Sequence, residues 1–205
     1  MIITSAPRVS SSVSRLLSGR VIQSTIQLIS AVVIARLLTP SEIGLFAVSF
    51  AVMLILNGFR GLGVGAYIIQ VSTLDTVTIR SAFTIVALMG GILTAIINLS
   101  AEYIANLYDN PSMELLLRVL SLNFIIFPFT IMVQSKAARE HDFGWMALME
   151  LIAAAFSSVV AIHFAWMGYG AISLAYGAIT FNLISTVVCG IRYFKINEYG
   201  FAFQK

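Results

Sequence analysis

Residues Ser81–Leu99 read SAFTIVALMGGILTAIINL, a run without a charged side chain. As a helix the run is about 28 Å long at 1.5 Å per residue, close to the ~30 Å hydrocarbon layer of a bilayer. A bilayer holds only helices or closed barrels, because a backbone polar group finds no water there. Barrel strands alternate polar and apolar residues, and this run does not. It reads as a membrane-crossing helix, and the rest of the chain repeats it. Comparable runs lie at Val21–Leu38, Ile43–Ile69, Leu115–Val133, Trp145–Met167 and Gly170–Ile191, six in all. The second is interrupted by glycines, so its helix ends either near Gly58 or near Ile69.

The whole chain has the composition these runs demand. Of 205 residues, 59% are hydrophobic and 10% charged, and the mean hydropathy is +0.95, whereas a soluble domain carries about 25% charged residues. A soluble fold of this size could not hide so much apolar surface. The expected fold class is an all-α polytopic membrane protein, a bundle of six transmembrane helices. Residues 15–194 form the bundle, between a tail at 1–14 and another at 195–205. Arg8, Arg15 and Arg20 ahead of Val21 imitate a secretory leader, but further runs follow and no small-residue cleavage site is evident, so the first run reads as a retained span. The single cysteine, Cys189, excludes an internal disulfide.

The net charge of +3 does not indicate a nucleic-acid partner, because the basic residues are scattered singly between apolar runs. They read instead as topology, since Lys and Arg near span ends collect on the cytoplasmic side. With the N-terminus inside, Arg8, Arg15, Arg20, Arg60, Arg80, Lys136, Arg139, Arg192, Lys195 and Lys205 fall inside, against Arg36 and Arg118 outside. Both termini are then cytoplasmic. Thr39-Pro40-Ser41-Glu42 reads as a helix start, with Thr39 as N-cap, Pro40 in the first helical position and Glu42 closing a capping box. Asp109-Asn110-Pro111 before Glu114 reads as a second such start.

Small residues at four-residue spacing let helices approach closely in lipid. Ala87, Gly91 and Ala95 form such a stripe in span three, and Ala153, Ser157, Ala161 and Ala165 form one in span five. Polar residues within spans carry more functional information, because they face a bundle interior or a wet cavity. Arg20, Gln23, Gln27 and Ser30 share a stripe of span one, as do Asn123, Thr130 and Gln134 in span four, where Pro128 predicts a kink. These amides either line a cavity or hold helices together. Arg60 either meets an anion, for which guanidinium is a bidentate partner, or snorkels to the interface. Glu150, about 7 Å of helix rise past Trp145, binds a coupling cation or proton, or pairs with a basic neighbour.

Other motifs carry little. Gly61-Leu62-Gly63-Val64-Gly65 lacks the strand and the Lys-Ser/Thr of a phosphate loop. Gly168-Tyr169-Gly170 reads as a tight turn and not as an ion filter. His141 and His163 are too far apart for a two-histidine metal site. Asp75, Glu140, Asp142 and Glu198 lack the grouping that an embedded transferase needs for a base or metal ligands. No catalytic residue, metal or cofactor is expected, and the chain reads as a non-enzyme.

Four segments resemble the Wzx-type oligosaccharide flippases of the multidrug/oligosaccharidyl-lipid/polysaccharide exporter superfamily. They are Ala35–Phe46, ARLLTPSEIGLF, across the turn between spans one and two; Phe59–Gln70, FRGLGVGAYIIQ, at the end of span two; Ala138–Phe143, AREHDF, before span five; and Gly168–Ala175, GYGAISLA, opening span six. The resemblance is to the N-terminal half, one six-helix lobe. It implies a bacterial inner-membrane protein that moves an undecaprenyl-pyrophosphate-linked glycan across the bilayer in O-antigen, capsule or exopolysaccharide assembly, without covalent chemistry. Arg60, Gln23, Gln27 and Asn123 are the candidate substrate contacts and Glu150 the candidate coupling residue. Members of the family usually carry twelve or more spans, so the resemblance implies either a truncated flippase or two copies, or two halves, that pair. The alternatives are a structural membrane subunit and a drug or cation antiporter of the same superfamily. The antiporter is disfavoured because spans one to three hold no acid at their centres.

Overall fold

The computed structural model describes residues 6–60, 63–71, 75–140 and 142–193. The Arg20 side chain, Gly61 and Leu62, His141, and the tail at 195–205 lie outside the described residues. All regular structure among the described residues is helical: α1 Ala6–Leu37, α2 Pro40–Arg60, α3 Val64–Gln70, α4 Thr76–Leu107, α5 Ser112–Arg139, α6 Phe143–Trp166 and α7 Ile172–Tyr193. Five of them, α2 and α4 to α7, are long and apolar enough to cross a membrane, and Val21–Leu37 of α1 is a shorter apolar helix. The expected second span is two helices. It stops at Arg60 and resumes at Val64, with Gly63 at φ 75°, a left-handed conformation that glycine tolerates and most residues do not.

Helix α5 is the hub, packing against α4 and α7 most extensively and also against α2, α3 and α6. Leu116, Leu117, Leu120 and Phe124 of α5 are buried with Leu93, Ile97 and Ala101 of α4 and Ala175 of α7. The closest approach is at Gly90, where a Cβ would overlap the carbonyl oxygen of Phe124. That oxygen belongs to the residue four before Pro128, so the proline leaves it without a helical donor, and the Gly90 backbone lies against it instead. The expected small-residue stripe of α4 is therefore displaced. Gly90 is buried, whereas Gly91 is exposed with open space around it. Spacing alone could not choose between adjacent glycines; the Phe124 carbonyl on the partner helix chooses.

The stripe on α6 packs as expected. Ala153, Ala161 and Ala165 are buried, and Ser157 Oγ donates to Gly177 O of α7 at 2.9 Å. Helix α1 lies along α6, where Ile34 and Leu38 meet Ala161 and Ala165.

The helix ends follow local rules. Thr39 N donates to Glu42 Oε2 at 2.7 Å and Glu42 N to Thr39 Oγ1 at 3.3 Å, which is the expected capping box. The second start differs, because Ser112 N donates to Asn110 Oδ1 while Glu114 pairs with Arg118 at 2.6 Å. Pro111 displaced the box: it takes the N-cap position with no side chain to offer. Gly168 and Gly170, at φ 84° and 57°, make the tight turn between α6 and α7. Arg139 fastens α3 to α5, its Nη1 donating to Ile68 O at 2.8 Å and Val71 O at 2.6 Å.

Candidate functional site

Helices α1 and α2 leave the Thr39 turn together and then part. Helix α1 packs along α6, while α2 leans on α5 and α4 and only lightly on α7. Between them lies a groove floored by α6 and α7. Its upper part, nearer the Thr39 turn, is a cleft of about 360 Å³ lined by Gln27, Ser30 and Ile34 of α1, Phe46 of α2, Ser157 of α6 and Gly177 of α7. The residues there are small because α6 and α7 touch there: a Cβ on Gly177 would come within 2.9 Å of the Ala161 Cβ.

The floor turns polar further along. Ala178 is the last α7 residue of the cleft, and one turn on, Asn182 donates to Ala178 O at 3.2 Å and to Asn123 Oδ1 of α5 at 2.8 Å. Thr186, one turn beyond, is hydrogen-bonded to Thr130 of α5. Asn123 is therefore bound to α7, as an interhelical hydrogen bond in lipid requires. One turn along α5 from Asn123 is Phe127, and the Arg60 guanidinium lies over its ring with Cζ 3.8 Å from the centroid.

Arg60 thus does not reach past the bundle end. Phe127 is twelve residues before Arg139, about 18 Å of helix rise, so the cation stands deep among the helices. No carboxylate pairs with it among the described residues. A cation–π contact is worth about 1–2 kcal/mol, less than the several kcal/mol it costs to desolvate a charge. The half-buried guanidinium has a ring and no counter-charge beside it among the described residues.

The other candidates lie on α1 and α6. Gln23 is half-buried, Gln27 lines the cleft, and neither side chain makes a hydrogen bond among the described residues. An amide in an apolar segment without a partner needs water or a ligand beside it. Helix α1 packs along α6, with Ile34, Leu38, Ala161 and Ala165 in one buried cluster. Glu150 is half-buried and has no ion-pair partner among the described residues. The polar stripes of α1 and α5 do not touch, since α6 and α7 stand between them. Sequence reading missed Asn182, Thr186 and Phe127. The first two had a signal, two polar residues one turn apart in an apolar span; Phe127 had none.

Residues 33–204, most of the chain, match the family described as "Polysaccharide biosynthesis protein". The chain belongs to that family. Among curated proteins, this polysaccharide biosynthesis protein is similar to "Lipopolysaccharide biosynthesis protein WzxC" of Escherichia coli (strain K12), with 23% identity over 140 residues. The match covers 67% of this chain and 28% of WzxC. No solved structure matches it. The resemblance to Wzx-type flippases stands at the level of the family, and the chain is a multi-helix membrane protein of polysaccharide biosynthesis.

Proposed function

We propose that the chain carries a lipid-linked oligosaccharide or polysaccharide repeat unit across the bacterial inner membrane, with the groove between α1 and α2 as the path of its polar part. The observation that carries this reading is Arg60: a guanidinium deep among apolar helices, stacked on Phe127 and lacking a counter-charge among the described residues. A diphosphate joining lipid to glycan is an anion of the right kind, because guanidinium binds it bidentately. Gln23 and Gln27 are the hydrogen-bonding wall opposite, and Glu150 is the coupling site for a proton or sodium ion. All six long runs cross the bilayer, both termini lie in the cytoplasm, and a second six-span half, or a second copy, closes the open side of the groove. No bond is made or broken, so no catalytic residue is assigned.

The test is glycan export in a bacterial strain lacking its own flippase, supplied with this chain alone or together with a second six-span half. Rescue by wild type and its loss on Arg60→Gln, with Arg60→Lys intermediate, is the expected result. Undiminished export by Arg60→Gln at equal protein level removes the assignment of Arg60, and no rescue in either arrangement removes the transport reading.

A further inference from the structure

One acceptor in the groove has no partner. Both hydrogens of Asn182 Nδ2 are spent, on Asn123 Oδ1 and Ala178 O, and this fixes which way the amide points. Its Oδ1 accepts no bond among the described residues, and it is not among their sealed, unpartnered atoms. The oxygen therefore opens on a space, in a helix whose apolar segment crosses the membrane. Its neighbours point to the continuation of the groove as that space. Asn182 follows Ala178, the end of the cleft floor, by one turn, and its partner Asn123 precedes Phe127, which carries Arg60, by one turn. A turn is about 5.4 Å, so the free oxygen and the guanidinium stand on the order of 10 Å apart.

We propose that Asn182 is a specificity-determining residue that reads the first sugar of the lipid-linked glycan. Its Oδ1 accepts a hydrogen bond from a hydroxyl or acetamido N–H of the sugar whose diphosphate Arg60 holds. The inference rests on the reading of Arg60 above and deepens it. The spacing is that between a diphosphate and the far side of the sugar attached to it. The chemistry is selective in the same sense, since an aimed acceptor discriminates against a ligand that offers it no donor. Asn123 is the positioning residue: it uses its Oδ1 to hold Asn182 and one hydrogen of its Nδ2 to bond Leu120 O at 3.1 Å, leaving Asn182 the free acceptor of the pair.

The experiment compares binding of undecaprenyl diphosphate with that of undecaprenyl diphosphate bearing one N-acetylhexosamine, by purified full-length chain in lipid nanodiscs. Wild type is expected to prefer the sugar-bearing lipid about fivefold, the weight of one net hydrogen bond. Asn182→Ala is expected to abolish that preference while leaving affinity for the bare diphosphate unchanged, and Arg60→Gln to weaken both ligands. Asn182→Ala also removes an interhelical bond, so Asn123 supplies the control: Asn123→Asp keeps the oxygen that orients Asn182 and retains the preference, whereas Asn123→Leu loses it. Equal loss of both ligands in Asn182→Ala, an unchanged preference in that variant, or no preference in wild type overturns the assignment of Asn182. Failure of wild type to bind either lipid overturns the transport reading with it.

Discussion

Helices α5 and α2 have nearly the same hydropathy, 2.0 and 1.9, yet half of the apolar stretch of α5 is buried and only 11% of that of α2. In water such a difference would mark α2 as misplaced. In a bilayer both are stable, because lipid covers what protein does not, and hydropathy reports only that a helix belongs in the membrane. What separates them is the identity of the small and polar residues. Helix α5 meets α4 at Gly90 and α7 at the Asn123–Asn182 and Thr130–Thr186 pairs. Helix α2 is held by Met53 in the core, by Arg60 on Phe127 and by its cap beside Gly170. One helix organises the fold; the other is a wall of the groove.

The strongest test of that contrast is a matched pair of substitutions. Gly90→Leu drives a side chain into the backbone of α5 and is expected to cost about 3 kcal/mol or more, read as a large drop in the thermal midpoint in detergent. Gly44→Leu, on α2 with nothing within 4 Å of its Cβ position, is expected to change stability by less than ~0.5 kcal/mol. Similar losses at the two sites would break the division into hub and wall. A smaller effect concerns α3, which packs on the hub helix α5. Arg139→Gln removes the donor that binds Ile68 O and Val71 O and is expected to cost about 1–2 kcal/mol, felt locally. Hydrogen exchange should quicken over Val64–Val71 while Pro40–Arg60 is unaffected; acceleration in both would mean that α2 and α3 move as one.

The smallest effect lies at the start of α4, which packs on the hub helix. Asp75 accepts from Thr78 N at 3.0 Å, and hydrogen bonds to Thr78 hold its carboxyl below the ordinary value of 3.8. A carboxyl with a depressed native pKa stabilises the fold above its unfolded pKa and loses that contribution as the pH falls through the native value. Acidification below about pH 4 should therefore loosen this cap in wild type. Asp75→Asn, which caps without titrating, should show no such step, and a step of equal size in the variant would place its origin elsewhere.

Much of this organisation was legible in the sequence, and what was missed has a common cause. The capping box at Thr39, the glycine turn at Gly168 and Gly170, and the α6 stripe depend on residues within a few positions of one another, so spacing revealed them. The α4 stripe was misplaced by one residue because the choice between Gly90 and Gly91 is made by a carbonyl on another helix. Arg60 was recognised as the residue to watch, but the ring beneath it comes from a helix that begins fifty residues later. The polar stripes of α1 and α5 were each readable; that two helices separate them was not, since periodicity gives the faces of a helix and not its neighbours. Asn182 sat unread in an apolar span, although its relation to Thr186 repeats that of Gln23 to Gln27.

The Phe124 carbonyl also bears on how the chain is made. Left without a donor by Pro128, that oxygen would cost several kcal/mol facing hydrocarbon, and the group that lies against it is the backbone of Gly90 on the preceding helix. A lone α5 is therefore a poor passenger in lipid, and α4 with α5 is a good one. The two should leave the insertion machinery as a closed hairpin, α4 waiting at its exit until α5 arrives, so that the order of synthesis guards the closest contact between α4 and α5.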